Sequence, residues 1–191
     1  MSNEYQRGEY SGESRGGRHH RGGGGGGGGG RERRGIPLSE LDSTLTDFSR
    51  RVIGAAIEVH KTLGPGFDRS VYHAALEAAL KEDGLNFHAN HDFNVEYKGK
   101  PVGKARTDFY VEERFIVEVL ARLGDVSAQD RSSARAKLKA GNLDLGLIIN
   151  FAERRLKDGL VRVLNVDKIN ADRGISSGDD HDGDHEYDDQ A

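Results

Sequence analysis

Two acids, Asp108 and Glu118, stand in the stretch Lys104-Ala-Arg-Thr-Asp108-Phe-Tyr-Val-Glu-Glu-Arg-Phe-Ile-Val-Glu118-Val-Leu120. The stretch reads as two β-strands joined by a tight polar turn at Glu112-Glu113. The second strand, from Arg114 to Ala121, is almost wholly apolar, as a strand covered on both faces would be. Glu118 interrupts it, sharing a strand face with Ile116 and Leu120. An unpaired carboxylate buried there costs several kcal/mol, roughly, or takes up a proton. It needs a cation, a metal or water. Asp108 on the preceding strand offers a second oxygen donor to the same place, and paired carboxylates on adjacent strands can hold Mg²⁺ against a phosphate. The competing explanation is structural, a Glu118 paired with a nearby Arg.

The elements around these acids follow from periodicity. A first helix starts near Ser39 or Ser43 and runs to Leu63. Leu45, Phe48, Val52, Ala56, Val59 and Leu63 form its apolar stripe. Gly64-Pro65-Gly66 stops it. Asp68 or Ser70 caps a second helix that reaches Asp83, with Val71, Ala75, Leu76, Ala79 and Leu80 inward. Phe93, Val95 and Tyr97 then alternate with polar residues, Lys98-Gly99-Lys100 turns the chain, and Pro101-Val102 starts a return strand. After the Asp108 and Glu118 strands, residues 127–140 form a polar helix with only Ala128, Ala134 and Leu138 to pack with, laid across an open sheet face. Residues 143–151 make a buried central strand, and residues 160–164 a last, shorter one. The expected order is α-α-β-β-β-β-α-β-β, a mixed sheet with helices packed on it.

Composition bounds the rest. Residues 1–35 hold 14 of the 27 glycines, including the unbroken run 22–30. They are expected to be a disordered Arg/Gly-rich tail. Residues 171–191 carry eight acids against one Arg and are expected to be a disordered acidic tail. One foldable domain remains, residues 36–170. The formal charge of −4 hides a basic arm, a neutral body and an acidic arm, and the body lacks the strong basicity of a typical duplex-DNA binder. The absence of Cys excludes disulfides, zinc-thiolate sites and Cys nucleophiles. No apolar run is long enough to span a membrane, so a cytoplasmic protein is expected. In the arm, Arg7, Arg15, Arg18 and Arg21 lie beside glycines, a composition that touches phosphate and stacks on unpaired bases without folding, or serves only as a solvated spacer. His19-His20 are too few to hold a metal. The acidic run 179–189 superficially resembles a calcium loop but lacks its spacing and flanking helices.

Several motifs carry a resemblance: Val52-Ile-Gly-Ala-Ala-Ile-Glu-Val-His60-Lys-Thr-Leu-Gly-Pro-Gly66, Ser70-Val-Tyr72, Asp108, Val117-Glu118 and Leu145-Gly-Leu-Ile-Ile-Asn150-Phe151. On these the chain resembles the GxxExxY proteins of the PD-(D/E)XK nuclease-like superfamily, over residues 48–163. The resemblance implies a restriction-endonuclease-like α/β fold with an αβββαβ core, a mixed sheet flanked by helices. It also implies a phosphodiesterase-type site where a helix Glu, a strand Asp and a Glu-x-Lys pair meet, the acids binding Mg²⁺ and the Lys orienting water or steadying charge. Asp108 and Glu118 keep family positions, as retained catalytic and metal-ligating candidates. The motif Glu falls on Arg69, the Lys on Leu120, and the Gln and Tyr of the following helix near Ser133 and Lys137.

Leucine neither donates to water nor carries charge. A guanidinium at position 69 forks onto Asp108 or Glu118 and takes the place of a metal. Arg122, on the strand face of Glu118, and Lys137, on the next helix, are the candidate substitutes for the lost Lys. Three functions follow: a degenerate nuclease fold that binds nucleic acid or a protein partner with no cofactor; an active Mg²⁺-dependent nuclease with a migrated basic residue; or an RNA-associated scaffold, homo-oligomeric or partner-bound, that works through the Arg/Gly tail.

Overall fold

The computed structural model describes residues 41–175. Helix α1, Ser43–Leu63, starts at Asp42, whose side chain accepts from the Leu45 N–H and so satisfies one of the free donors of the first turn. The expected stripe is the buried one: Leu45, Val52, Ala56 and Val59 lie in the core, with Phe48 and Leu63 against it. Gly64 ends the helix at φ 70°, a backbone region that glycine enters without steric cost. The buried Tyr72 then fixes this turn. Its hydroxyl donates to the Gly64 carbonyl at 2.6 Å and accepts from the Phe67 N–H at 3.1 Å, while its ring stacks on Phe151 at 4.8 Å.

Helix α2, Arg69–Glu82, follows. Leu76 and Leu80 are buried as expected, but Val71 is exposed. Tyr72 takes the inward place that Val71 was expected to hold, because the stripe runs at steps of four through positions 72, 76 and 80.

Strands β1 (Phe87–Tyr97), β2 (Lys100–Val111) and β3 (Phe115–Leu120) come next, one fewer than expected, because the return strand and the Asp108 strand are the single strand β2. Helix α3, Ala128–Gly141, connects β3 to β4, Leu145–Asn150, and β5 is Leu160–Leu164. The sheet order is β1-β2-β3-β4-β5, antiparallel except for the parallel pair β3 and β4. One sheet face and helices α1 and α2 share a core of Phe109, Val117, Val119, Leu147 and their neighbours. The other face packs Ile116, Ile148 and Val163 against Ala134 and Leu138 of α3, the two inward residues of that polar helix. A capping box of Ser127 and Asp130 starts α3, and Asn142 ends it in the left-handed conformation. A further short helix, α4 (Val166–Asp172), was not foreseen; it carries regular structure to Asp172. Among the described residues no helix is long and apolar enough to cross a membrane.

The sheet splits at one place, and the split organises the site. Strands β2 and β3 pair only from Phe109↔Val117 to Val111↔Phe115. Beyond Phe109 toward its start, β2 pairs with β1 alone. Opposite the split, Asn90 of β1 has φ 53°. That single residue breaks the strand's alternation. Phe87 and Ala89 pack on the α1/α2 side, whereas Phe93 packs on the α3 side. His88 and His91, three residues apart, both lie against Tyr110. β2 changes face at the matching position, between Thr107 and Phe109.

Candidate functional site

Val119 shows what the split demands. In a continued antiparallel ladder its N–H and C=O would both pair with β2, but β2 has turned away. Asp108 Oδ2 accepts the Val119 N–H at 2.7 Å, and Arg69 Nε donates to the Val119 carbonyl at 2.8 Å. A terminal nitrogen of Arg69 also donates to Asp108 Oδ1. The carboxylate and the guanidinium together thus replace one missing rung of the sheet. Asp108 is buried and Arg69 is half exposed. Of the two acids that Arg69 was expected to reach, it holds Asp108.

Glu118 points to the other side of the sheet, as its shared face with Ile116 and Leu120 requires. Its Oε2 accepts from Lys137 Nζ at 2.7 Å and its Oε1 from the Thr107 hydroxyl at 2.8 Å. Burial raises the pKa of this carboxyl above its ordinary value; Lys137 pulls it down, Asp108 pushes it up, and burial wins. Lys137 is itself mostly buried, with 18% of its side chain exposed. The structural pairing anticipated for Glu118 is therefore made, but by a Lys of α3 rather than by an Arg.

The other candidate positions are scattered. Leu120 packs against the apolar cluster under α3. Arg122, a candidate substitute for the lost Lys, is not at Glu118: its guanidinium lies on Asp130, because the capping box at the start of α3 holds that carboxylate in front of it. Ser133 is on the exposed side of α3. Arg7, Arg15, Arg18 and Arg21, His19-His20 and the acidic run 179–189 lie outside the described residues. Three site residues escaped sequence reasoning. Thr107 was hidden because its hydroxyl reaches Glu118 only through the change of face at Asp108. Asn90 gave one signal, a residue tolerant of positive φ set inside an otherwise extended run. Asn150 is wholly buried and binds the loop after β3, its Nδ2 donating to the carbonyls of Arg122 and Gly124 at 2.8 and 3.0 Å.

The family model of the PD-(D/E)XK nuclease superfamily matches residues 46–163. That is more than half of the 191 residues, and the chain belongs to this superfamily. The α2-β1-β2-β3-α3-β4 order supplies the αβββαβ core, so the mixed five-stranded sheet with flanking helices is the restriction-endonuclease-like fold. No match was found among curated proteins or among solved structures.

Proposed function

We propose that this domain binds nucleic acid without cutting it, as a nuclease fold whose acid pair is held by two cations of its own chain. One observation carries the reading: Arg69 sits on Asp108 and Lys137 sits on Glu118. A divalent cation needs several oxygen donors facing a common point. Here Asp108 spends one oxygen on the Val119 N–H and the other on a guanidinium. Among the described residues no group of three or more His, Asp or Glu is disposed to hold a metal. The donor set does not fit Mg²⁺ as it stands, and no catalytic step is routed through one. The narrower resemblance to the GxxExxY proteins rests on the motifs themselves. Nucleic acid is preferred over a protein partner because the superfamily's fold is that of nucleases. The Arg/Gly arm, with Arg7, Arg15, Arg18 and Arg21, adds a contact of the same kind.

A second reading has its own observation. Lys137 Nζ reaches the acid that the family's Lys would accompany, so Lys137 would be the migrated basic residue of an active Mg²⁺-dependent enzyme. One experiment separates the two. The full chain is incubated with labelled DNA and RNA, double- and single-stranded, in Mg²⁺ or Mn²⁺. Retarded but intact nucleic acid is the expected result. Cleavage that Asp108→Asn abolishes would establish the enzyme instead, and no retardation of any strand would remove the binding function.

A further inference from the structure

Because β2 leaves β3 at Asp108, residues 94–106 form a two-stranded ribbon supported by no third strand. Most of its side chains are exposed. The ribbon carries four cations, Lys98, Lys100, Lys104 and Arg106, against the single acid Glu96. Lys104 and Arg106 are turned back onto Asp92 at its base, at 3.8 and 2.7 Å. Among the described residues, Lys98 and Lys100, at the tip, make no ion pair. Lys98 is held in the turn at φ 51°, followed by Gly99 at φ 72°, which is the two-residue hairpin geometry with positive φ at both central positions. Its ammonium lies 5.4 Å from the ring centroid of Tyr97. Tyr97 is 64% and Val102 61% exposed, so the tip pairs cations with uncovered apolar surface.

We propose that this ribbon is a docking arm that enters the major groove of duplex DNA. The inference rests on the nucleic-acid-binding function above and names its partner and its contact surface. The groove of B-form DNA is about 12 Å wide and admits a two-stranded β-ribbon. The major groove of an RNA duplex is too narrow for side chains to read, which selects DNA. From Lys100 to Asp108 the strand spans roughly 26 Å at about 3.3 Å per residue, which sets the tip well away from the Arg69–Asp108 pair. Tip cations serve the phosphates, while Tyr97 and Val102 meet base edges and thymine methyl groups. A second copy adding a strand is disfavoured by the ribbon itself. Pro101 brings no N–H to the ladder, and the register shifts between Val95 and Glu96; both are devices that blunt an edge.

The test measures fluorescence anisotropy of labelled duplex and single-stranded DNA with the full chain, over a range of salt. Lys98→Glu with Lys100→Glu is compared with Lys61→Glu with Lys157→Glu, which changes net charge equally on other elements. The ribbon variant is expected to lose about tenfold or more in duplex affinity and to flatten the salt slope by about two, one per phosphate contact removed, with its melting unchanged. The control variant is expected to keep most of its affinity. Equal losses in both variants would overturn the arm and leave the binding function standing, as would binding of single strands without duplex. Failure of the natural chain to bind any DNA overturns the arm and, with RNA also unbound, the function. A change of sedimentation coefficient in the ribbon variant alone would assign the ribbon to a second copy instead.

Discussion

Asp108 and Glu118 are both paired, but they differ in how far the protein can spare them. Asp108 closes backbone groups of Val119, so a variant used to test chemistry must keep an acceptor there, and Asp108→Asn does so where Asp108→Ala would leave an N–H unmet. Glu118 makes no such bond, and its cost is that of a buried charge. Its pKa is raised in the folded protein, so its protonation favours folding: its contribution is greatest at low pH and is lost as pH rises through the raised value. Lys137 is what limits that cost. Lys137→Met removes the main lowering partner, so the Glu118 pKa climbs further. The variant is expected to be less stable than the natural protein by about 1–3 kcal/mol in mildly alkaline buffer. The deficit should shrink as pH falls toward the ordinary carboxylate range, where Glu118 is protonated in both folded and unfolded chains. Adding Glu118→Gln to Lys137→Met should recover much of the loss. Urea denaturation across that range checks it, and a deficit that does not vary with pH would contradict the pairing.

At the scale of elements, the change of face at Asn90 and Asp108 brings Thr107 to one acid while turning Asp108 to the other side. A β-branched residue at φ 53° is strained by about 1–2 kcal/mol, whereas glycine tolerates it. Asn90→Val is therefore expected to lower stability by about that amount, and Asn90→Gly by appreciably less; the reverse order in chemical denaturation would show that Asn90 acts through its side chain. This change of face also marks the limit of what the sequence discloses. Helices α1 and α2 and strand β4 were legible because their apolar patterns are long, and α3 and β5, with little apolar pattern of their own, because Gly and Asn mark their ends. Glu118 was legible because charge inside an apolar strand stands out, and Asp108 because it is an acid on the neighbouring strand. Lys137 was legible only as one of two candidates beside Glu118, and that it rather than Arg122 makes the pair depends on where α3 crosses the sheet. The unity of β2 was not legible, because exposed strands with Pro101 and Gly103 lose the alternation that would join them. The short α4 escaped because one apolar turn, around the buried Ile169, carries almost no period.

For the whole molecule, the split sheet links three properties: a ribbon free to reach a partner, an acid pair at its base, and cations drawn onto those acids. The metal site that the resemblance implies would need both acids free; here Arg69 and Lys137 lie on them. That occupancy is tested most directly by isothermal titration of Mg²⁺ and Mn²⁺ into the natural protein, Asp108→Asn, and the double variant Arg69→Glu with Leu120→Lys. Any weak cation background from the acidic run 179–189 is common to all three. By this occupancy the natural protein and Asp108→Asn give indistinguishable titrations, while the double variant gains a discrete site that the added change Asp108→Asn removes. A discrete site in the natural protein, lost in Asp108→Asn, would contradict it.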